Sequence, residues 1–205
     1  MKKLIVAAAL AAVAVAPAHA ALFSLSAPGV QTTAVAGATV VDFNDYSIGA
    51  YTSAVGQYQI VQGNLAGKYA APKGDTTPFL SVPNPVSNGQ VTFQLGTLAS
   101  YFGLYWGSID SYNTLEFLRD GAVVASFTGS QITAVADGNQ AADRTNRYVN
   151  FSFGAGEHFD AVRLKSTGFA FESDNHAFVA VPAPAAVGLL GLGLLGFCAA
   201  RRRSR

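Results

Sequence analysis

Between residues 21 and 180 apolar side chains recur at every second position in short runs, and Gly, Pro, Asn and Asp separate the runs. A period of two puts one set of side chains on a single face, as a half-buried strand requires. A helix would need apolar residues three and four apart. Gln90-Val91-Thr92-Phe93-Gln94-Leu95 alternates strictly, with Val91, Phe93 and Leu95 on one face. Further candidates are 39–43, 57–61, 114–119, 123–127, 147–153, 159–166, 169–171 and 177–180. Residues 100–106 are apolar on both faces, as a central strand would be. Asp120-Gly121 sits between two of these runs, where both residues tolerate the positive φ of a tight hairpin. Residues 64–90 and 136–146 carry little periodicity and read as long loops. About ten short strands at this spacing predict an all-β domain, a β-sandwich of jelly-roll-like order.

The two ends obey different rules. Lys2-Lys3, an apolar stretch from Leu4 to Val15 and Ala18-His19-Ala20 form a charged segment, a short apolar segment and a small-x-small site. This is the layout of a signal peptide over residues 1–20, removed by signal peptidase. At the other end, Val181-Pro182-Ala183-Pro184 precedes an uncharged stretch from Ala185 to Ala200, and then Arg201-Arg202-Arg203-Ser204-Arg205. As a helix that stretch would rise about 24 Å, close to the roughly 30 Å hydrocarbon core that flanking arginines help to bridge. The arginines are expected to stay cytoplasmic, with the body outside.

Charge follows the same division. The whole chain has 13 basic and 12 acidic residues. Six of the basic residues lie at the ends, so residues 21–180 hold seven basic against twelve acidic, net −5. A nucleic-acid binder needs a basic face on its folded part, so that class is excluded. The only cysteine, Cys198, lies in the C-terminal apolar stretch, so the body has neither a disulfide frame nor a thiolate metal site. With about 160 residues it is large enough to fold on its own core.

The Val-Pro-x-Pro motif, the Gly/Leu-rich stretch and the arginine cluster resemble the PEP-CTERM sorting signal. Such tails occur on exported proteins of Gram-negative bacteria that make exopolysaccharide. The resemblance covers residues 181–205 and implies a membrane-held precursor, cleaved near Pro182–Pro184 by an exosortase, with the product at the cell surface or in the extracellular matrix. Position 183 is Ala where the family commonly has Glu. Residues 101–117, YFGLYWGSIDSYNTLEF, resemble a stretch recurrent in one group of exosortase-dependent surface proteins.

Two constellations in the body have chemical interest. In the first, Trp106 or Tyr112 would offer an aromatic platform to a sugar face, with Asp110 and Asn113 bonding its hydroxyls. The alternative is a core tryptophan followed by a turn that bonds its own backbone. In the second, Asp42 and Asp45 come early and Glu172 and Asp174 late. A jelly-roll order sets the first and last strands side by side, so these hard oxygen donors would meet around Ca²⁺. The alternative is two turns with no ion. Enzyme signatures are weak. No G-x-S-x-G, H-E-x-x-H or P-loop spacing occurs, His158 and His176 are the only histidines of the body, and Glu116, Glu157 and Glu172 are the glutamates that a glycosidase pair would draw on. The expected function is therefore a non-enzymatic exported surface or matrix protein binding exopolysaccharide. The alternatives are a secreted glycan hydrolase and a structural surface-layer protein without a small ligand.

Overall fold

A computed structural model describes residues 21–182. The expected signal peptide, Ala183, Pro184, the apolar stretch and Arg201, Arg202, Arg203 and Arg205 lie outside the described residues. Among the described residues no helix is long and apolar enough to cross a membrane.

Eleven antiparallel strands make up the body: β1 Leu22–Leu25, β2 Thr39–Val41, β3 Ser53–Gly56, β4 Gln59–Val61, β5 Phe79–Val82, β6 Gly89–Gly107, β7 Asn113–Arg119, β8 Ala122–Thr128, β9 Arg147–Ser152, β10 Phe159–Ser166 and β11 Phe171–Ala180. Only a four-residue helix, Gly129–Ile132, and a short 3₁₀ turn interrupt them. The sequence reading splits β6 into two strands, 90–95 and 100–106, and splits β11 likewise. The structure joins each pair across a bulge. Gly96, at φ +71°, marks the bend within β6.

That bend makes the sandwich. The first half of β6 pairs with β10 on one side and β3 on the other, and β10 continues to β7 and β8. Its second half pairs with β11 and β9, and these continue to β5, β4 and β1. One strand therefore serves two layers. The layers meet through aromatic rings: Phe102 of β6 contacts Phe117 and Phe159, and Phe151 of β9 contacts Phe117. Early β2 lies beside late β11, with Val41 opposite His176, as a jelly-roll order requires. Asp120 and Gly121 both have positive φ, so the predicted hairpin joins β7 to β8.

The predicted loop over 64–90 is a partial error. Its middle is β5, a strand buried along its whole length and hidden from the pattern by Pro78 and Pro83. The preceding residues, 62–78, form a strap across the outer face of the second layer. Tyr105 Oη donates to Lys73 O at 2.6 Å, and the Ala70 N–H donates to Glu172 Oε1 at 3.0 Å. Pro72 packs on Gly107, where an added Cβ would stand 2.8–2.9 Å from its atoms. Face alternation within β6 is as expected: Phe102, Leu104 and Trp106 point into the core, and Tyr101 and Tyr105 point outward beneath covering segments.

Candidate functional site

Along β11 the alternation sorts residues between core and strap. Phe171 faces inward, where its ring stacks on Trp106 at 4.1 Å and 10°. Ser173 and His176 are also inward and fully buried. Ser173 Oγ lies 2.9 Å from His176 Nε2, and Tyr51 Oη lies 2.8 Å from Nδ1. Burial among Phe43, Phe93 and Phe102 pushes the imidazole down to about 3, so it is neutral.

Glu172 and Asp174 belong to the other face and lie under the strap. Glu172 is 3% exposed. Its Oε1 accepts the Ala70 N–H, and its Oε2 has no hydrogen-bond partner. Burial lifts the carboxyl to about 8, the Ala70 bond works against that shift, and Asp110 adds to it. Asp174 is lifted to about 8, again mainly by burial, with the carboxylates of Asp75 and Asp42 adding repulsion. Asp174 Oδ1 and Asp75 Oδ2 are both buried, and a carboxyl–carboxyl contact between the two residues adds to the upward shift of Asp174.

A cleft of about 440 Å³ opens beside Glu172. Its wall comes from the strap (Asn64, Leu65, Lys68, Tyr69), from Gln140 in the 133–142 loop, and from Phe169 just before β11. Lys68 Nζ stands 4.4 Å from the centre of the Phe169 ring and donates to Pro85 O at 3.2 Å. Among the described residues Lys68 has no carboxylate partner. The cleft is thus lined by the Tyr69 ring, by the Phe169 ring with Lys68 over it, by amides and by one buried carboxyl whose second oxygen has no partner. This combination suits a small polar ligand with some apolar surface.

The predicted aromatic platform is corrected. Trp106 is wholly buried and presents no face to solvent. Asn113 is spent internally: Oδ1 accepts the Asp110 N–H at 3.0 Å, and Nδ2 donates to Ser166 Oγ at 2.9 Å. Asp110 is half-buried against Gly138, and burial raises its carboxyl. Tyr112 remains partly accessible and donates to Phe169 O at 2.9 Å, so it buttresses the cleft from behind. The predicted calcium set is also corrected. Asp42 bonds Asn44 through both oxygens, and Asp45 bonds the Ser47 N–H, each inside its own turn. Among the described residues no three His, Cys, Asp or Glu side chains gather to hold a metal. Sequence reasoning named Glu172 but in a different role. It missed Lys68, Tyr69 and Gln140, which come from aperiodic segments, and Phe169, which it read only as the start of a strand; the fold alone brings the four together.

Residues 180–203 match the family model of the PEP-CTERM protein-sorting motif. The chain therefore carries a PEP-CTERM sorting motif, which implies an exported, exosortase-processed surface protein. The body meets the motif directly, since the Val181 N–H donates to Leu98 O at 2.7 Å and Pro182 follows at once. No curated protein matches the chain. Among solved structures the chain is similar to CpGH89CBM32-6 produced by Clostridium perfringens, at 13% identity and TM-score 0.35 over 62% of this chain and 94% of that one. It is similar to the CBM32-1 and CBM32-2 domains of Clostridium perfringens ZmpB in complex with GalNAc, at 12% identity and TM-score 0.35 over 70% and 39%. A truncated AlyQ with CBM32 and alginate lyase domains follows at 18% identity and TM-score 0.32 over 64% and 35%. The chain thus spans well under half of the last two. Likenesses this loose fix neither a fold nor a ligand.

Proposed function

We propose that this surface protein is a non-enzymatic glycan binder that takes a sugar of the surrounding exopolysaccharide in the cleft between the strap and Phe169. The observation that carries this reading is Glu172, a buried carboxyl with an unpartnered oxygen in a cleft walled by Tyr69 and Phe169. A pyranose offers the matching surfaces, an apolar C–H face for a ring and hydroxyls for polar atoms. A non-catalytic role is supported by how the other candidate groups are used. Glu116 is held by Arg163 at 3.0 Å and Lys165 at 3.1 Å. Glu157 caps the Gly154 N–H, and the Ser173–His176 pair is sealed in the core with a tyrosine rather than a carboxylate as its third member. Asp110, the carboxylate that Glu172 senses, does not line the cleft.

The test is retention of the purified protein on the polysaccharide of its own host. Tyr69→Ala and Gln140→Ala are expected to cut retention at least fivefold while the melting temperature stays within a few degrees of wild type. Wild-type protein that passes unretained, or a fall in polymer size on incubation, would overturn the reading.

A further inference from the structure

We infer that the cleft recognises the carboxylate of an acidic sugar, with Lys68 as its counter-ion and the Glu172 carboxyl as the hydrogen-bond donor beside it. This rests on the glycan-binding reading above and narrows its substrate class.

Lys68 is the only cation that lines the cleft among the described residues, and it is unneutralised there. It is held in place by Phe169 and by Pro85 O, so its charge is positioned before any ligand arrives. A neutral sugar has no use for a placed, unpaired cation, whereas a sugar carboxylate does. The difficulty is Glu172, because an ionised glutamate on the same wall would repel an anion. The geometry removes it. Glu172 is buried, and its Oε1 is already occupied by the Ala70 N–H. Its Oε2 has no hydrogen-bond partner, and burial outweighs the two backbone N–H groups, of Ala70 and of Glu172 itself, that favour the charged form. With a value of about 8 the group keeps its proton at neutral pH, and no protein group takes a hydrogen bond from it at the buried Oε2, so the donor is left for a ligand that presses into the cleft wall. A protonated carboxyl and an ammonium that line one cleft bind a carboxylate, the first through O–H···O⁻ and the second through charge.

The other groups around Glu172 agree. From the strap come Lys68 and the Tyr69 phenol; from the loop after β6 come Asp110 and Tyr112; from its own strand comes Asp174. The register partners Ser81 and Gly107 on β5 and β6 carry no charge. Of these, the Asp110 carboxylate opposes ionisation of Glu172 by its sign. Above pH 8 the proton leaves, and binding should leave with it.

The experiment titrates the purified protein with a polyuronate oligosaccharide and with its carboxyl-reduced neutral counterpart, at pH 6.5 and pH 9. The uronate is expected to bind at least tenfold more tightly than the neutral form at pH 6.5, and to lose about tenfold by pH 9, where roughly a tenth of Glu172 stays protonated. Lys68→Gln should abolish the preference for the uronate. Glu172→Gln keeps both the Ala70 bond and a donor, so its binding should be level between the two pH values. Equal affinity for the two oligosaccharides overturns this inference and leaves glycan binding standing. Binding of neither, on a body whose melting curve is intact, overturns it together with the function on which it rests. A pH 9 loss that persists in Glu172→Gln assigns the titration elsewhere and overturns the role of Glu172.

Discussion

Trp106 contributes as a packing residue. Its indole lies face to face with Phe171, wholly buried, and its Nε1 makes no hydrogen bond within the body. Truncation there empties a large volume between the layers, so Trp106→Ala is expected to cost about 3–5 kcal/mol. Trp106→Phe keeps a ring on Phe171 and gives up no hydrogen bond, so it should cost well under half of that. Chemical denaturation of the two variants checks this, and a Trp106→Ala protein with wild-type stability would refute the placement. At this scale the sequence is ambiguous for a physical reason. An aromatic residue near a turn packs a core and stacks on a sugar equally well, and the alternation of 101–106 says which residues share a face without saying which face is covered. Tyr105 carries the same lesson. It lies on the outer face of its strand and is nevertheless buried, because the strap crosses it.

The strap is the element that makes the cleft, and its seat is Gly107. A methyl group at that position would stand 2.8–2.9 Å from the backbone and ring of Pro72, closer than carbon atoms approach without movement. Gly107→Ala must therefore lift the strap from β6, at a cost of about 1–3 kcal/mol. It should also loosen the bonds from Ala70 to Glu172 and from Tyr105 to Lys73, and weaken glycan retention although no cleft residue has changed. Faster hydrogen exchange at Ala70 in the variant checks it, and exchange equal to wild type would show that the strap does not rest on this glycine. Strands with regular alternation were readable: β7, β10 and both halves of β6 stand where the period of two put them. What the pattern could not give is a strand of four residues between two prolines, or a loop held by side chains 102 residues away, as Ala70 is held by Glu172. Such contacts have no local period, and the cleft is built almost entirely from them.

Across the whole molecule, three buried groups set the pH dependence of stability, and their signs differ. Glu172 and Asp174 are raised by burial from 4.5 and 3.8 to about 8. The native state keeps protons that the unfolded chain releases, so the stability they contribute is full at acid pH. It is lost progressively as pH climbs toward 8, at about 1.4 kcal/mol per unit for each retained proton. His176 is lowered from 6.5 to about 3. The native state refuses a proton that the unfolded chain accepts, so its contribution is full above pH 6.5 and is lost as pH falls toward 3. Between pH 4.5 and 6.5 the two carboxyls outweigh the one histidine, and between 6.5 and 8 they act unopposed. Below about pH 4 the histidine prevails, helped by Asp45 and Asp137, whose exposed carboxylates are held low by Ser47 and Arg144. The melting temperature is thus expected to peak near pH 4–5 and to fall on the order of 20 °C by pH 8.5, whereas many proteins are most stable between about pH 5 and 8. Glu172→Gln and Asp174→Asn should each remove about half of that fall, and a scanning-calorimetry series from pH 3 to 9 measures it. A melting temperature that is flat or rising between pH 5 and 8 would mean that these carboxyls are ionised in the folded protein. It would also remove the proton that the acidic-sugar site requires.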